Sequence, residues 1–417
     1  MNMIARIAFR NIMRHKRRTI TSAITIAVGI WFYTFMDSVM AGLDRGGIDN
    51  MIELTTSAVK VHTSAYQEDK EAFPLDHGIR NMRKLRKLLS GNPRIAGIAP
   101  RTRFIGQLSN YTEEIPVIGT VIDPDLDSSV FSLVSYLEGD YFSAGSSREI
   151  ILGKDLAEEM GVDIGGYITL YALTRYESRN ADEFKVAGVL KTTDPELNRS
   201  SVMISYAAAN EFLDLEGLVT EANVGLMRRV NLKDMKNDAR KVKERIETTF
   251  PGLEPSTFME LAAGFLELAK SKRAFGVVFL LILLVIAAVG IFNSVLMSVY
   301  ERIREVGVLR AHGMKSGEVS AMFVLEGFMT GVLGSIFGLV LGIATNLVLV
   351  TYGYPIDKIA GDVVVDGFPV WGTIYGEWNS ATMVFLFFFG IAVATVAGII
   401  PARKAGKMEV THALRFV

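Results

Sequence analysis

The chain has 417 residues, 50% of them hydrophobic and 21% charged, with a formal net charge of -1. That mixture fits a membrane-anchored protein carrying a sizeable water-exposed domain, and no stretch away from the membrane flanks is basic and aromatic enough for nucleic acid. The lack of cysteine excludes a disulfide framework, a thiol nucleophile and a Cys-based zinc site.

Residues 1–18 hold six basic side chains and no acid, which places them in the cytosol under the positive-inside rule. On a helical wheel Arg6, Arg10 and Arg14 share one face, with Ile4, Ala8, Phe9 and Ile12 roughly opposite. That is the design of a helix lying in the interface beside anionic lipid; a solvated basic leader is the alternative. Four apolar runs follow that exceed the roughly 20 residues a helix needs to cross hydrocarbon. They are Thr19 to Gly42, Ala274 to Tyr300, Gly327 to Val350 and Asn379 to Pro401, and Asp37 is the single acid in them. The first run also reads as a cleaved signal peptide, but its length and its bulky Trp31-Phe32-Tyr33 favour a retained span.

Between the first two runs lies a long polar stretch, 43–272. Alternating or β-branched segments at 58–62, 115–119, 167–171, 184–189, 201–204 and 222–226 interleave with helical patterns at 77–90, 154–160, 205–214 and 233–248. An α+β domain is expected. After Pro255, Thr257 and Glu260 have capping-box spacing, and a helical pattern then runs without proline to Tyr300. About 44 residues at about 1.5 Å each make roughly 65 Å, a stalk continuous with the second span.

In the third run Gly327, Gly331, Gly334, Gly338 and Gly342 are spaced to make one smooth helix face, read as a packing seam or a moving one; glycine tolerated generically in lipid is the alternative. The loop 351–378 carries Asp357, Asp362, Asp366 and Glu377 against Lys358, as an external loop should, and Arg403, Lys404, Lys407 and Arg415 put the tail 402–417 inside. The expected fold class is an α-helical membrane protein with four transmembrane helices (19–42, 274–300, 320–350 and 379–401), a large extracytoplasmic α+β domain between the first and second, and cytosolic termini.

No phosphate-binding P-loop is present: Gly153-Lys154 is followed by Asp155. The chain is therefore not expected to hydrolyse nucleotide or to carry a cofactor of its own. Neither a zinc-protease nor a serine-hydrolase motif occurs, and no metal site is expected. Asp123-Pro-Asp125-Leu-Asp127 opens like a calcium loop but lacks the glycine and glutamate that complete one, so it reads as an acidic turn. The link 301–316 is more telling. Ile303, Val306 and Leu309 line one side of a short helix, Glu301, Arg302, Arg304, Glu305 and Arg310 surround them, Gly313 stops it, and Ser316 caps the next, with Glu318 in its first turn. Such a helix suits docking in a partner's groove, with Arg302 and Arg310 meeting carboxylates there; resting on lipid headgroups is the alternative.

The run E-R-I-R-E-V-G-V-L-R-A-H-G-M (301–314) resembles the signature after the second span of FtsX/MacB/LolCE-type ABC transporter permeases. The terminal G-I-I-P-A-R-K-A-G-K-M-E-V-T-H-A-L-R (398–415) resembles the same family's ending, with Val410 where proline is common, and the basic leader is similar to its N-terminal helix. R-E-I-I-L-G-K-D-L-A-E-E-M-G-V-D-I-G-G-Y-I-T-L (148–170) is similar to a run in the lipoprotein-releasing subgroup, with Gly166 where Asp is usual. The resemblance implies a coupling helix seated on a separate cytosolic ABC ATPase, which would hold the ATP and magnesium, with Arg302, Glu305, Val306, Leu309 and Arg310 as contact candidates. It implies a second permease, identical or paralogous, and an amphiphilic cargo, foremost lipoprotein, moved from the inner membrane by a periplasmic domain. Drug or peptide efflux with an adaptor, and a signalling scaffold regulating a cell-wall hydrolase, stay open. The segment Ala172 to Glu183 lacks the proline-containing hook of one lipoprotein-releasing subunit, which argues against chaperone binding.

Overall fold

The computed structural model describes residues 3–142, 148–192, 194–227, 232–355 and 373–408. In chain order the first half runs α1 (Met3–Arg14), α2 (Lys16–Asn50), β1 (Val59–Thr63), α3 (Ser64–Glu68), α4 (Met82–Leu89), β2 (Ile95–Ser109), β3 (Glu114–Ile122), α5 (Pro124–Asp127), β4 (Leu137–Gly139), β5 (Glu149–Gly153) and α6 (Lys154–Glu159). Then come β6 (Tyr167–Leu173), β7 (Arg179–Leu190), α7 (Pro195–Ser200), β8 (Ser201–Ser205), α8 (Tyr206–Phe212), β9 (Glu221–Leu226), α9 (Leu232–Thr249), β10 (Leu253–Thr257) and α10 (Phe258–Leu261). The helices α11 (Ala263–Glu301), α12 (Ile303–Ala311), α13 (Ser316–Tyr352) and α14 (Ser380–Gly406) follow. These elements form two compact units, an α+β unit from Arg45 to Glu267 and a helical unit built from the segments up to Asp44, Leu268–Pro355 and from Thr373 on.

The strands of the α+β unit belong to one mixed sheet. Each of β2, β3, β8, β5, β7 and β6 pairs with the next, and β6 pairs back onto β2, so these six close a barrel. Alternation along the strands sends one set of side chains inward. Phe104, Leu108, Val117, Val121, Ile150, Leu152, Ile168, Leu170, Phe184, Val186, Val202 and Ile204 fill the interior and pack on Leu156 of α6 and Phe212 of α8. Gly119 is required there, because a Cβ would lie 2.0 Å from the Phe104 ring. The intervening residues Ile122, Ile151 and Met203 point outward into a second cluster with Leu54, Phe131 and Leu133. β9, β1 and β10 extend the sheet from β2, and α9 lays Met235, Ala239, Val242 and Ile246, spaced four, three and four, toward the interior.

Most of the expected strands and helices of this unit are present. β2 was not anticipated, because Pro100 and two arginines interrupt its apolar alternation. Pro100 falls one residue before β3 begins to pair at Arg101, where its missing N–H costs little. The acidic turn is as expected: Asp123 caps α5, and Asp127 turns inward to Arg101. Residues 172–183 form a tight hairpin between β6 and β7.

Among the described residues three helices are long and apolar enough to cross a bilayer: Thr19–Thr56, Ser316–Tyr352 and Ser380–Gly406. A shorter apolar stretch, Ala288–Glu301, lies on the second expected span. Helix α14 continues five residues past Pro401, where the sequence suggested an end; just beyond the proline, Ser320 Oγ of α13 donates to Ala402 O at 3.1 Å and ties the two helices together. The expected capping box is present, with Glu260 accepting from Thr257 N at 2.8 Å. The external-loop residues 356–372 and the tail from 409 on, with Val410 and Arg415, lie outside the described residues.

The glycines of α13 divide between two partners. Gly327 and Gly331 face Ala394 and Ile391 of α14, while Gly334, Gly338 and Gly342 face Ala23, Ile26, Ala27, Ile30 and Thr34 of α2. A Cβ at Gly331 would lie 2.7 Å from Ala394 Cβ, and one at Gly338 would lie 2.8 Å from Ala27 O. The row therefore bends around α13 from one neighbour to the other.

Candidate functional site

The site is the link between α11 and α13, built within the helical unit. Its short helix has one apolar stripe, and such a stripe is buried on the nearest apolar surface. Here that surface is the chain's own bundle. Ile303 and Val306 are 3% and 2% exposed, and Val306 joins a core with Ala8 of α1, Val299 of α11 and Val319, Met322 and Phe323 of α13. Gly313, at φ 96, lets the chain turn back. Glu318 Oε2 then accepts from Lys315 N at 2.8 Å, so α13 starts at Ser316, and the serine is the first helical residue rather than its cap.

Arg302, between α11 and α12, is the pin of the arrangement. Its Nε donates to Glu305 at 2.9 Å and its Nη1 donates to Glu326 of α13 at 2.9 Å, with the guanidinium 5.5 Å from the centre of the Phe323 ring. Asn11 of α1 donates to the same Glu326 oxygen at 2.7 Å. Burial works against the charge on Arg302, but Glu326 and Glu305 outweigh it and hold its pKa above the ordinary arginine value. Arg14 lies 3.7 Å from Glu305, but both are exposed, so that contact contributes little. One buried carboxylate thus ties α1, the link and α13 together.

Of the five positions expected to meet a partner, Arg302 and Val306 are buried, while Glu305 is exposed and Leu309 and Arg310 are partly exposed. Arg310 Nη1 donates to Met408 O, beyond the end of α14. The accessible face also presents Glu301, Arg304, Val308, Ala311 and His312. On α1, Ala8 and Ile12 are taken up by the bundle, while Phe9 and Met13 stay exposed beside Arg6, Arg10 and Arg14. The wheel had grouped Phe9 with the buried side. Glu326 and Asn11 were missed by sequence reasoning. A lone carboxylate at the mouth of an apolar run was the available signal, since an ionisable group there needs a partner.

Helices of membrane-crossing length, a short charged helix pinned at the start of one of them and a folded α+β domain inserted after the first define the class, a membrane protein with a large domain outside the bilayer. The chain belongs to the FtsX/MacB/LolCE-type ABC transporter permeases: the MacB-like periplasmic core domain family matches residues 19–248, and the FtsX-like permease C-terminal family matches 277–410. It is 23% identical to the lipoprotein-releasing system transmembrane protein LolC of Xylella fastidiosa, over 97% of each chain. It is 26% identical to an uncharacterized ABC transporter permease of Methanocaldococcus jannaschii, over 60% of this chain and 61% of that one. Among solved structures, the periplasmic region of MacB from Actinobacillus actinomycetemcomitans matches with a TM-score of 0.36 at 13% identity, covering 52% of this chain and 96% of that one.

Proposed function

We propose that this permease works with a separate cytosolic ATPase and, paired with a second permease, extracts lipoproteins from the inner membrane by moving its periplasmic domain. The observation that carries the reading is the pinned link. A helix fixed on α13 and α1 by buried charge passes a push on its outer face to the bundle rather than yielding to it. In this reading α11 is the fourth span, both termini lie in the cytosol, and Glu305, Leu309 and Arg310 meet the ATPase together with Arg304 and Val308. Arg302 and Val306 hold the helix from beneath. The likeness to LolC along nearly the whole chain supports lipoprotein as cargo.

Co-purification tests it. Replacing Arg304, Val308 and Leu309 together by aspartate is expected to abolish association with the ABC ATPase that co-purifies with the unaltered permease while leaving the thermal midpoint of the permease unchanged. An ATPase still bound and stimulated would sink the assigned face. Lipoproteins accumulating in the inner membrane on depletion support the cargo; altered drug resistance alone would replace it with efflux, and altered septation alone with signalling.

A further inference from the structure

The α+β unit holds a cavity of about 840 Å³ on the outer face of its barrel, within the roughly 300–1,000 Å³ typical of small-molecule sites. The floor is strand surface. Cross-strand register places Arg101 and Arg103 of β2, Thr120 and Ile118 of β3, and Met203 and Ser201 of β8 on this face, with Glu221 of β9 opposite Arg101. The cover comes from the helical turn Met51–Thr56, from α7, and from Leu261, Gly264 and Phe265 around the start of α11.

Charge on the floor is unbalanced. Arg101 is fully committed: its guanidinium pairs with Asp127 at 2.7 and 2.9 Å and stacks 3.3 Å over the Phe131 ring. Lys60 lies 3.1 Å from Glu221. Arg103 is half-buried, 4.5 Å from the centre of the Phe73 ring; it forms no ion pair among the described residues, and its one carboxylate neighbour of note is Glu221, already in contact with Lys60. Three cations thus meet two carboxylates, and the surplus falls on Arg103. At the rim, the Asp194 carboxylate is taken up by the backbone N–H groups of Glu196 and Leu197, and Glu196 and Arg199 are exposed with one charge of each sign. The facing wall is apolar, formed by Met51, Leu54, Leu261 and Phe265. A cationic spot facing an apolar wall selects a molecule with both characters.

We propose that this cavity binds a single-chain amphiphile with an anionic headgroup, the headgroup at Arg103 and the chain against Leu54, Met203, Leu261 and Phe265. Carboxylate and phosphate headgroups share the required chemistry. Binding involves no ATPase and no cargo protein, so it stands or falls apart from the transport reading.

The test uses the full chain in nanodiscs, a palmitate carrying a diazirine on its chain, and mass spectrometry of the labelled peptides. Labels are expected on the peptides holding Leu54, Met203 and Leu261. Laurate or dodecyl phosphate should displace them, the stronger competitor identifying the headgroup, whereas neutral monolaurin and dodecyltrimethylammonium should not. Arg103→Glu should lower labelling about tenfold or more, as loss of a contact to a charged group implies. Thr120→Trp, at a half-buried position of β3 that lines the same space, should do the same with an unchanged thermal midpoint. Labels confined to the apolar helices, equal displacement by the neutral or cationic competitor, or full labelling of both variants would overturn the proposal.

Discussion

Replacing Glu326 by alanine removes the acceptor that Arg302 and Asn11 share. Arg302 and Glu326 have side chains 4% and 8% exposed, so the substitution strands a guanidinium where water cannot solvate it. Breaking a buried pair from one side costs about 3–5 kcal/mol, and the half-exposed Glu305 offsets about 1 kcal/mol at most, leaving a net loss of about 2–4 kcal/mol. The loss should appear as detachment of α1, whose tie to α13 includes Asn11. Trypsin cleavage at Arg10 and Arg14 in the purified permease reports that opening. At about 1.4 kcal/mol per factor of ten, cleavage should speed up by roughly one and a half to three orders of magnitude. Arg302→Met combined with Glu326→Leu removes both charges and should recover most of the protection. Cleavage unchanged in Glu326→Ala, or a double variant as labile as the single one, would refute the pinning argument.

The glycine row gives a second prediction. Gly338→Leu drives a side chain into Ala27 and Ile30 and should part α13 from α2 at a cost of about 1–3 kcal/mol, whereas Gly317→Leu, with open space around its Cβ position, should be silent in the same thermal unfolding assay. Loss of the Arg101–Asp127 pair through Asp127→Asn should lower the α+β unit's stability by about 3–5 kcal/mol in denaturant titration, and a change under 1 kcal/mol would contradict its buried geometry. A fourth concerns acid. Burial pushes His62 below its ordinary 6.5. For Glu221 burial pushes the other way, but Lys60, His62 and Arg103 prevail and hold it at about 2, against an ordinary 4.5. Both folded pKa values are depressed, so between each folded value and its ordinary one the unfolded chain binds more protons. Stability should therefore fall as pH drops below 6.5 and fall further from 4.5 toward 2. His62→Gln should flatten the upper part of that profile, and a profile level from pH 7 to 3 would exclude the reading.

Most elements were legible because their information is local. The apolar runs, the Thr257 capping box, the acidic turn at Asp123 and the period of α9 each depend on residues within a few turns of one another. β2 was hidden because its stability comes from partners far away in sequence, which override a proline and two arginines. The same holds for the link. Its existence, charge and helical form were readable, but which side would face out was not, because burial of Val306 depends on Phe323 and Ala8 being brought beneath it.

By itself, then, the sequence determined that this is a membrane protein with an inserted α+β domain, since hydrophobic length, charge flanks and periodicity are properties of short windows. Only the tertiary structure decided that the strands close into a barrel, that the glycine row serves two neighbours, and that Arg302 is spent on Glu326. Each of these depends on pairings between distant segments, and a buried charge or a close backbone approach has no local signature until its partner arrives.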